Sequence, residues 1–457
     1  MHLPRLASTL LAALGLALAA VPVARAGNPL LPHVFAADPS AHVWPGDDRL
    51  WLYTSHDTPG TNGHSTMVSY HVFSTKDCVN WTDHGRVFDL SDAKWAASHM
   101  WAIDATYRHG KYYLVYCAVA ASDGVFRTGI AVSERPEGPF TDLGPVKGVE
   151  WGQDPALYVD DNAVPWLFWG SGGKGHVVQL ADDLMSAVPG TYRNLSSELT
   201  NIFEGPWVNK IKGRYYLTYP GLVKNQWPEK MFWATADKVA GPYTYGGMFM
   251  DSHEKFAGTN HGSVVNYGGK WLFFYHSSWL SGGMSEVRNI MADYLEFDAD
   301  GRIKMITPTK DGVAVNGAQP GPSRVRLLLE AETAPQQGGA HARVEFANAR
   351  PGYSGRGYMR GFDGSHNTVR FLAQVAKDGE WIVKARYAAP AGGKFTLHVW
   401  PLEKQCEFPA TETFAEIELG KFPLKAGDNL LMVSRFPQRD GKGLELDALI
   451  LEPAAQP

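Results

Sequence analysis

The sequence predicts an all-β chain, a five-bladed β-propeller followed by a β-sandwich module of jelly-roll type. Three observations predict it. One motif recurs five times across the first two thirds of the 457 residues. Aromatic residues make up 12 % of the chain, and such rings suit pleated surfaces. Sustained helical periodicity is weak throughout.

Each copy of the motif opens on an acidic or His residue at an apolar strand, passes a turn rich in Gly or Asp, and continues into an aromatic strand. The first runs from Ala37-Asp38-Pro39-Ser40 through Pro45-Gly46-Asp47-Asp48 to Leu50-Trp51-Leu52-Tyr53. The second runs from Trp101-Ala102-Ile103-Asp104 through His109-Gly110-Lys111 to Tyr112-Tyr113-Leu114-Val115-Tyr116. Gln153-Asp154-Pro155-Ala156 leads to Trp166-Leu167-Phe168-Trp169-Gly170 in the third, and Phe203-Glu204-Gly205-Pro206 to Tyr215-Tyr216-Leu217-Thr218-Tyr219 in the fourth. The fifth joins Asn260-His261-Gly262-Ser263 to Trp271-Leu272-Phe273-Phe274-Tyr275. The openers are spaced by 66, 50, 50 and 57 residues, close to the length of one four-stranded blade. Each begins an innermost strand, so radial repetition should gather all five at one mouth of a central channel.

The rest of the chain follows from composition and punctuation. His2 and Arg5 precede the apolar run Leu10 to Val23 and the small-x-small site Ala24-Arg25-Ala26, the pattern of a cleavable export signal over residues 1–26. The expectation is a secreted or periplasmic protein with no membrane span. Residues 27–318 read as the propeller, Ala318-Gln319-Pro320-Gly321-Pro322-Ser323 as the linker (319–324), and 325–457 as the sandwich. A formal net charge of −5 gives no reason to expect nucleic acid. Cys78, Cys117 and Cys406 match no zinc spacing and read as small core residues.

Splitting a glycoside needs a carboxylic acid to protonate the leaving oxygen and a carboxylate acting on the other side of the ring. Asp38, Asp154 and Glu204 share an offset within the repeat, and symmetry brings them together although no helix could. Taken singly, each has a plainer reading: Asp-Pro is a common turn, and Glu204-Gly205-Pro206 a loop start. Asp104 shares the offset and reads either as a substrate contact or as a partner for a backbone amide on a neighbouring strand. Trp101 reads as a sugar platform or as core packing.

These same segments, with Trp101-Ala102-Ile103-Asp104 and Thr259-Asn260-His261-Gly262-Ser263, resemble glycoside hydrolase family 43 over residues 28–310. The resemblance implies an inverting enzyme that releases L-arabinofuranosyl or xylosyl residues from plant hemicellulose such as arabinoxylan or its oligosaccharides. It implies Asp38 as general base, Glu204 as general acid and Asp154 as the residue that orients the acid and raises its pKa. It also implies Arg288 as a sugar contact and His261 as a residue holding a central calcium through water. No cofactor is expected for catalysis. Leu329-Glu330-Ala331-Glu332, Gly355-Arg356-Gly357-Tyr358 and Leu446-Asp447-Ala448-Leu449 resemble carbohydrate-binding modules of families 6 and 35. That likeness implies a structural calcium on Glu330, Glu332 and Asp447, and leaves Tyr358 and Trp400 as candidate stacking residues. Glu445 stands where relatives often carry a sugar-binding Asn, so a purely structural module is the alternative. A β-xylosidase or arabinanase of the same family, a non-catalytic sugar-binding propeller and a retaining fructan hydrolase are the competing functions. The latter is disfavoured by Asp38-Pro39-Ser40 and Glu204-Gly205, which stand where those enzymes have Asp-Pro-Asn and Glu-Cys.

Overall fold

A computed structural model describes residues 27–58, 64–252, 258–334, 336–337, 344–362, 367–434 and 443–454. The export signal expected over residues 1–26 lies outside them. Among the described residues no helix is long and apolar enough to cross a membrane.

The repeated motif becomes five antiparallel sheets. Their first strands are Ala36–Val43, Ile103–Arg108, Ala156–Val159, Trp207–Ile211 and Gly262–Tyr267. Each of these strands packs against the next, and the fifth packs against the first, closing a ring. The aromatic second strands lie one position further out, with Trp51, Tyr53, Tyr116, Phe168, Tyr219 and Tyr275 fully buried between neighbouring sheets. The turns explain the tight hairpins. His109 and Gly110 have φ of 51° and 79°, and Lys212 and Gly213 have 48° and 86°, as two-residue hairpin turns of the right twist demand.

The ring is closed by the segment that precedes the first strand. The Leu30 N–H donates to the Ile290 carbonyl at 2.8 Å, and the Asn28 side chain bonds both backbone groups of Ala292. Residues 28–30 thus extend the three-stranded fifth sheet along Asn289–Tyr294, immediately before the chain enters the first strand of the first sheet.

The C-terminal module is a β-sandwich whose two faces enclose their own apolar core. It is fused to the propeller rather than tethered. Arg324, inside the segment read as a linker, already begins the strand Arg324–Glu330, which pairs in parallel with Asn80–Asp89, the outer strand of the first sheet. Buried polar contacts reinforce the seam. His33 Nε2 lies 2.7 Å from Asp83 Oδ2, and the Ala376 N–H donates to the His33 carbonyl. His71 Nε2 donates to Gln374 Oε1 at 2.9 Å while its ring stacks on His56. Cys78, Cys117 and Cys406 are buried free thiols, as expected of small core residues.

This seam makes stability depend on pH. Burial pushes His71 down to about 3, with His56 opposing and Asp83 favouring its charged form; Arg86 also faces it. Burial lowers His84 to about 4. A buried neutral imidazole contributes fully above its unfolded pKa of about 6.5, and that contribution is lost as pH falls from there toward the folded value. For His71 the loss at about pH 5 is about 2 kcal/mol. The thermal midpoint should therefore fall between about pH 7 and about pH 5, and His71→Phe should show a smaller fall than the wild type. An equal pH dependence in both proteins would exclude His71 as a source.

Candidate active site

Four of the five polar openers meet, at one mouth of the ring, around a cavity of about 600 Å³ lined by Asp38, Trp101, Asp154, Glu204, His261 and Arg288 among others. The local backbone explains how. Asp38, Asp154 and Gly205 have φ of 52°, 49° and 51°, and each precedes a proline. A left-handed residue before Pro interrupts the regular ladder, as a register shift between Ala37 and Ser40 within the first strand and ahead of the strands that begin at Ala156 and Trp207, and aims the side chain into the cavity. Glu204 therefore sits one residue earlier in the motif than Asp38 and Asp154, with glycine taking the left-handed position. Glycine is needed there for a second reason: a Cβ on Gly205 would lie 2.7 Å from His261 Nε2.

Asp38 is held in its charged form. Ser55 Oγ donates to Oδ2 at 2.5 Å, and Arg288 Nη1 approaches Oδ1 at 3.3 Å. The Asp38 N–H donates to His276 Nδ1 at 3.2 Å, while His276 Nε2 lies 3.0 Å from the Thr259 carbonyl. Burial alone would raise the Asp38 pKa, but Arg288, His261 and His276 outweigh it and hold the group well below the usual carboxylate range. Arg288 is fixed in turn by Asp57, which accepts from Nε and Nη2 at 2.9 Å each and from the Arg288 backbone N–H at 2.7 Å.

The other two acids are pushed the opposite way. Burial raises Asp154 well above its ordinary value, and the neighbouring Glu204 raises it further. Burial likewise raises Glu204, assisted first by Glu229 and then by Asp38, with Arg288 opposing. One low carboxyl and a raised pair face the same hollow, the separation that acid–base division of labour needs.

The aromatic wall is graded. Trp101 is partly buried, tilted on Phe126 at 4.7 Å, with its indole N–H donating to the His64 carbonyl. Trp227 sits edge-on to Phe203, 5.1 Å away, and is 53 % exposed at the lip.

Asp104 does not reach the cavity. It is buried on the far side of the openers, where Oδ1 accepts from Ser40 Oγ at 2.7 Å and lies 2.8 Å from His42 Nε2, and Oδ2 accepts the Leu157 N–H at 2.6 Å. The first three inner strands are tied together by this one carboxylate, so its place is that of a backbone partner, not a substrate contact. Sequence reading missed Asp57, Glu229, His276 and Trp227, and quoted Thr259 only as part of the fifth motif. Only Trp227 left a signal, an aromatic beside the turn Lys224-Asn225.

The residues proposed for calcium divide. The His261 Nδ1 faces Asp38 Oδ1 at 3.7 Å and its Nε2 is packed on Gly205. The ring supplies no oxygen donor, so a cation held by His261 through water, as the resemblance implies, would draw its oxygens from that water. In the module, Glu330, Glu332 and Asp447 converge on one turn. Ser354 donates from Oγ to Glu330 at 2.8 Å and to Asp447 at 3.0 Å, and the Arg356 N–H donates to Glu332 at 2.6 Å. Glu332 Oε2 is buried with no partner among the described residues. Burial and mutual repulsion raise Glu330, and burial raises Glu332 to about 7. These carboxylates are the donor type a hard cation takes, but Arg386 Nε donates to Asp447 Oδ2 at 2.6 Å, and among the described residues no group of three His, Cys, Asp or Glu is placed to hold a metal ion. Tyr358 is buried against Phe414 and Tyr353, so it cannot stack on a sugar. Trp400, at 83 % exposure, can. Glu445 is ion-paired to Arg350.

A propeller mouth with one low and two raised carboxyls beside aromatic walls defines a carbohydrate-cleaving hydrolase. The chain belongs to glycosyl hydrolases family 43, whose pattern its residues 26–303 match, and residues 329–453 match carbohydrate binding module family 35. Xylosidase/arabinosidase 43A of Humicola insolens is 32 % identical over 329 residues, covering 60 % of this chain and 98 % of its own. Arabinoxylan arabinofuranohydrolase of Paenibacillus polymyxa is 28 % identical over 455 residues, covering 86 % of this chain and 69 % of its own. A solved family-43 β-xylosidase/α-arabinofuranosidase from a compost microbial metagenome, in complex with xylotriose and calcium-free, is 30 % identical with a TM-score of 0.55. That match covers 61 % of this chain and 97 % of that one.

Removing the guanidinium should move the base. In Arg288→Gln the Asp38 carboxyl loses its main opposite charge, so its pKa rises. The acidic limb of the kcat/KM profile on aryl pentosides should shift upward by about one pH unit or more. An unmoved limb would show that Arg288 does not set the charge of Asp38.

Proposed function

We propose that the chain is an exported, inverting glycosidase that removes L-arabinofuranosyl or xylosyl residues from arabinoxylan or its oligosaccharides. The observation that carries it is the placement of Asp38, Asp154 and Glu204 around one cavity with opposed charge preferences. Asp38, ionised and fixed by Arg288 and Ser55, takes a proton from the attacking water. Glu204, kept protonated by burial and like charge, gives its proton to the leaving oxygen. Asp154 holds that acid in place. Water adds to the anomeric carbon from the face opposite the leaving group, so the configuration inverts. The depth of the cavity orders the sugar. The reacting pentose lies deep, between Asp38 and Trp101, and the leaving sugar lies toward the lip, where Trp227 stands beside the acid. Arabinofuranoside release is the first reading because the Paenibacillus relative bears that name and spans the module as well. β-Xylosidase action is the second, supported by the name of the compost enzyme. The Glu330, Glu332 and Asp447 cluster would hold a calcium of structural kind, remote from bond cleavage.

Glu204→Ala should lower turnover of xylo- and arabino-oligosaccharides by about 10³-fold while largely sparing nitrophenyl pentosides, whose leaving groups need little protonation. NMR of the first-formed sugar should show inverted configuration. Equal losses on both substrates, or retention, would overturn the assignment.

Chelation should lower the unfolding midpoint of the module, and added calcium should restore it. A midpoint indifferent to both would remove calcium from this module.

A further inference from the structure

One sheet of the module sets the strands Thr368–Val375, Gly427–Ser434, Gly393–Val399 and Leu402–Phe408 side by side in that order. Phe371, Leu431, Val433, Leu397 and Val399 belong to the sandwich core. The alternate residues therefore leave from the outer face, where the register sorts them into rows across the strands. Gln374 stands opposite Asp428, and Leu372 opposite Leu430. Arg370, Met432, His398 and Glu403 form the row beyond. The row of Leu372 and Leu430 runs on toward Trp400, which follows Val399 at the turn, one step past the Val399–Leu431 pair. Leu430 is 45 % exposed, and Trp400 is the most exposed large apolar side chain among the described residues.

This face leads back toward the catalytic mouth. Gln374 accepts the His71 hydrogen bond across the seam and donates to Asp428 at 2.6 Å. With Asp428 and His56 it lines a second cavity, of about 410 Å³, between the module and the propeller, and Val68 lines it too. Met67, one residue earlier, lines the catalytic cavity. One short segment, residues 64–69, thus separates the two hollows. By strand geometry Trp400 stands about 12 Å from Gln374, two residues along the strands and two strands across.

The chemistry of the face selects its occupant. Arg370, Asp428 and Glu403 bring both signs of charge, and His398 lies 3.5 Å from Glu403, so no field of one sign awaits a charged ligand. Leu372, Leu430 and Trp400 together fall well short of the roughly 800 Å² that one partner brings to a stable protein interface. An exposed indole beside aliphatic side chains and groups that donate and accept hydrogen bonds matches a neutral polyol chain instead. The C–H faces of its rings stack on apolar surface, and its hydroxyls both donate and accept. The end of the module near Tyr358 is closed to such a chain, because Tyr358 is buried and Glu445 is ion-paired to Arg350.

We propose that the outer sheet face from the seam cavity to Trp400 is a polysaccharide-binding surface, which holds a neutral polymer chain beside the catalytic mouth and outside the cavity where bonds are cut. The identity of that polymer rests on the reading above of arabinoxylan as substrate.

Retention on insoluble arabinoxylan tests it, read by depletion of the full chain carrying Glu204→Gln, so that the polymer is not cut during the measurement. Adding Trp400→Ala should weaken retention by about tenfold or more, the loss that truncating a stacked Trp brings. Leu430→Asp should weaken it as well, and Glu445→Gln, at the closed end, should not. The unfolding midpoint of each variant shows whether its module is intact. A folded Trp400→Ala protein retained as well as its parent overturns the proposal. So does a parent that binds no arabinoxylan, or a loss in Glu445→Gln with none in Trp400→Ala. A concentration-dependent dimer in sedimentation velocity that Trp400→Ala abolishes would assign the face to a second copy of the chain and overturn it too. If the wild-type enzyme cleaves no pentoside but the parent still binds through Trp400, the glycosidase reading fails and the surface stands. Should Trp400→Ala fail to fold, Leu430→Asp replaces it, and unchanged retention in that variant overturns the proposal equally.

Discussion

Arg288 stands between two buried carboxylates, Asp57 and Asp38, and the rest of the site is arranged around that triad. Asp57 follows the second strand of the first sheet, and Arg288 enters the third strand of the fifth, so the triad bridges the two sheets where the ring closes. A guanidinium this deep is stable only with its charge matched and its donors used, and Asp57 provides the bidentate match. The remaining Nη1 reaches Asp38. One interaction thereby closes the ring, fixes the base and keeps it ionised.

The same charge accounts for the division among the acids. Arg288 favours ionisation most where it is nearest, at Asp38, and opposes the protonated form of Glu204 only weakly. On the other side of the hollow Asp154, Glu204 and Glu229 are buried together, opposed among the described residues by Arg288 at Glu204 and Glu229 and by His261 at Asp154. Burial first, and their like charges second, raise their pKa values, and the cavity acquires a basic end and an acidic end from where Arg288, with His261 and His276, stands beside Asp38.

The module contributes to this indirectly. Its parallel strand extends the first sheet, and the Ala376 N–H to the His33 carbonyl and His71 to Gln374 carry polar bonds across the seam, with Asp83 holding the His33 ring from the propeller side. The first sheet bears Asp38, Ser55 and Asp57. The sandwich thus supports the outer edge of the sheet whose inner edge holds the base, which explains why it is packed on the propeller rather than suspended from it.

The repeat was legible in the sequence because period and turn chemistry are local: openers at near-constant spacing, Gly or Asp turns, aromatic second strands. It predicted that Asp38, Asp154 and Glu204 face one hollow, and they do. It also put Trp101 and His261 there, and the family resemblance added Arg288. It did not separate Asp104 from the others, since a shared offset fixes position along a strand but not which way a side chain leaves it. Asp104 turns to the neighbouring strand and satisfies Leu157, while Asp38 and Asp154 leave left-handed residues and turn into the cavity. Asp57, Glu229 and His276 carried no motif. Their roles arise from partners 231, 31 and 238 residues away in sequence, and such pairings exist only once the ring has closed. The sequence alone determined the strands, the turns and the residues able to do acid–base work, because those follow from backbone preference and side-chain chemistry. Tertiary structure decided which acid is charged, which is neutral and which merely holds strands together, because charge state depends on burial and on neighbours that chain order does not reveal.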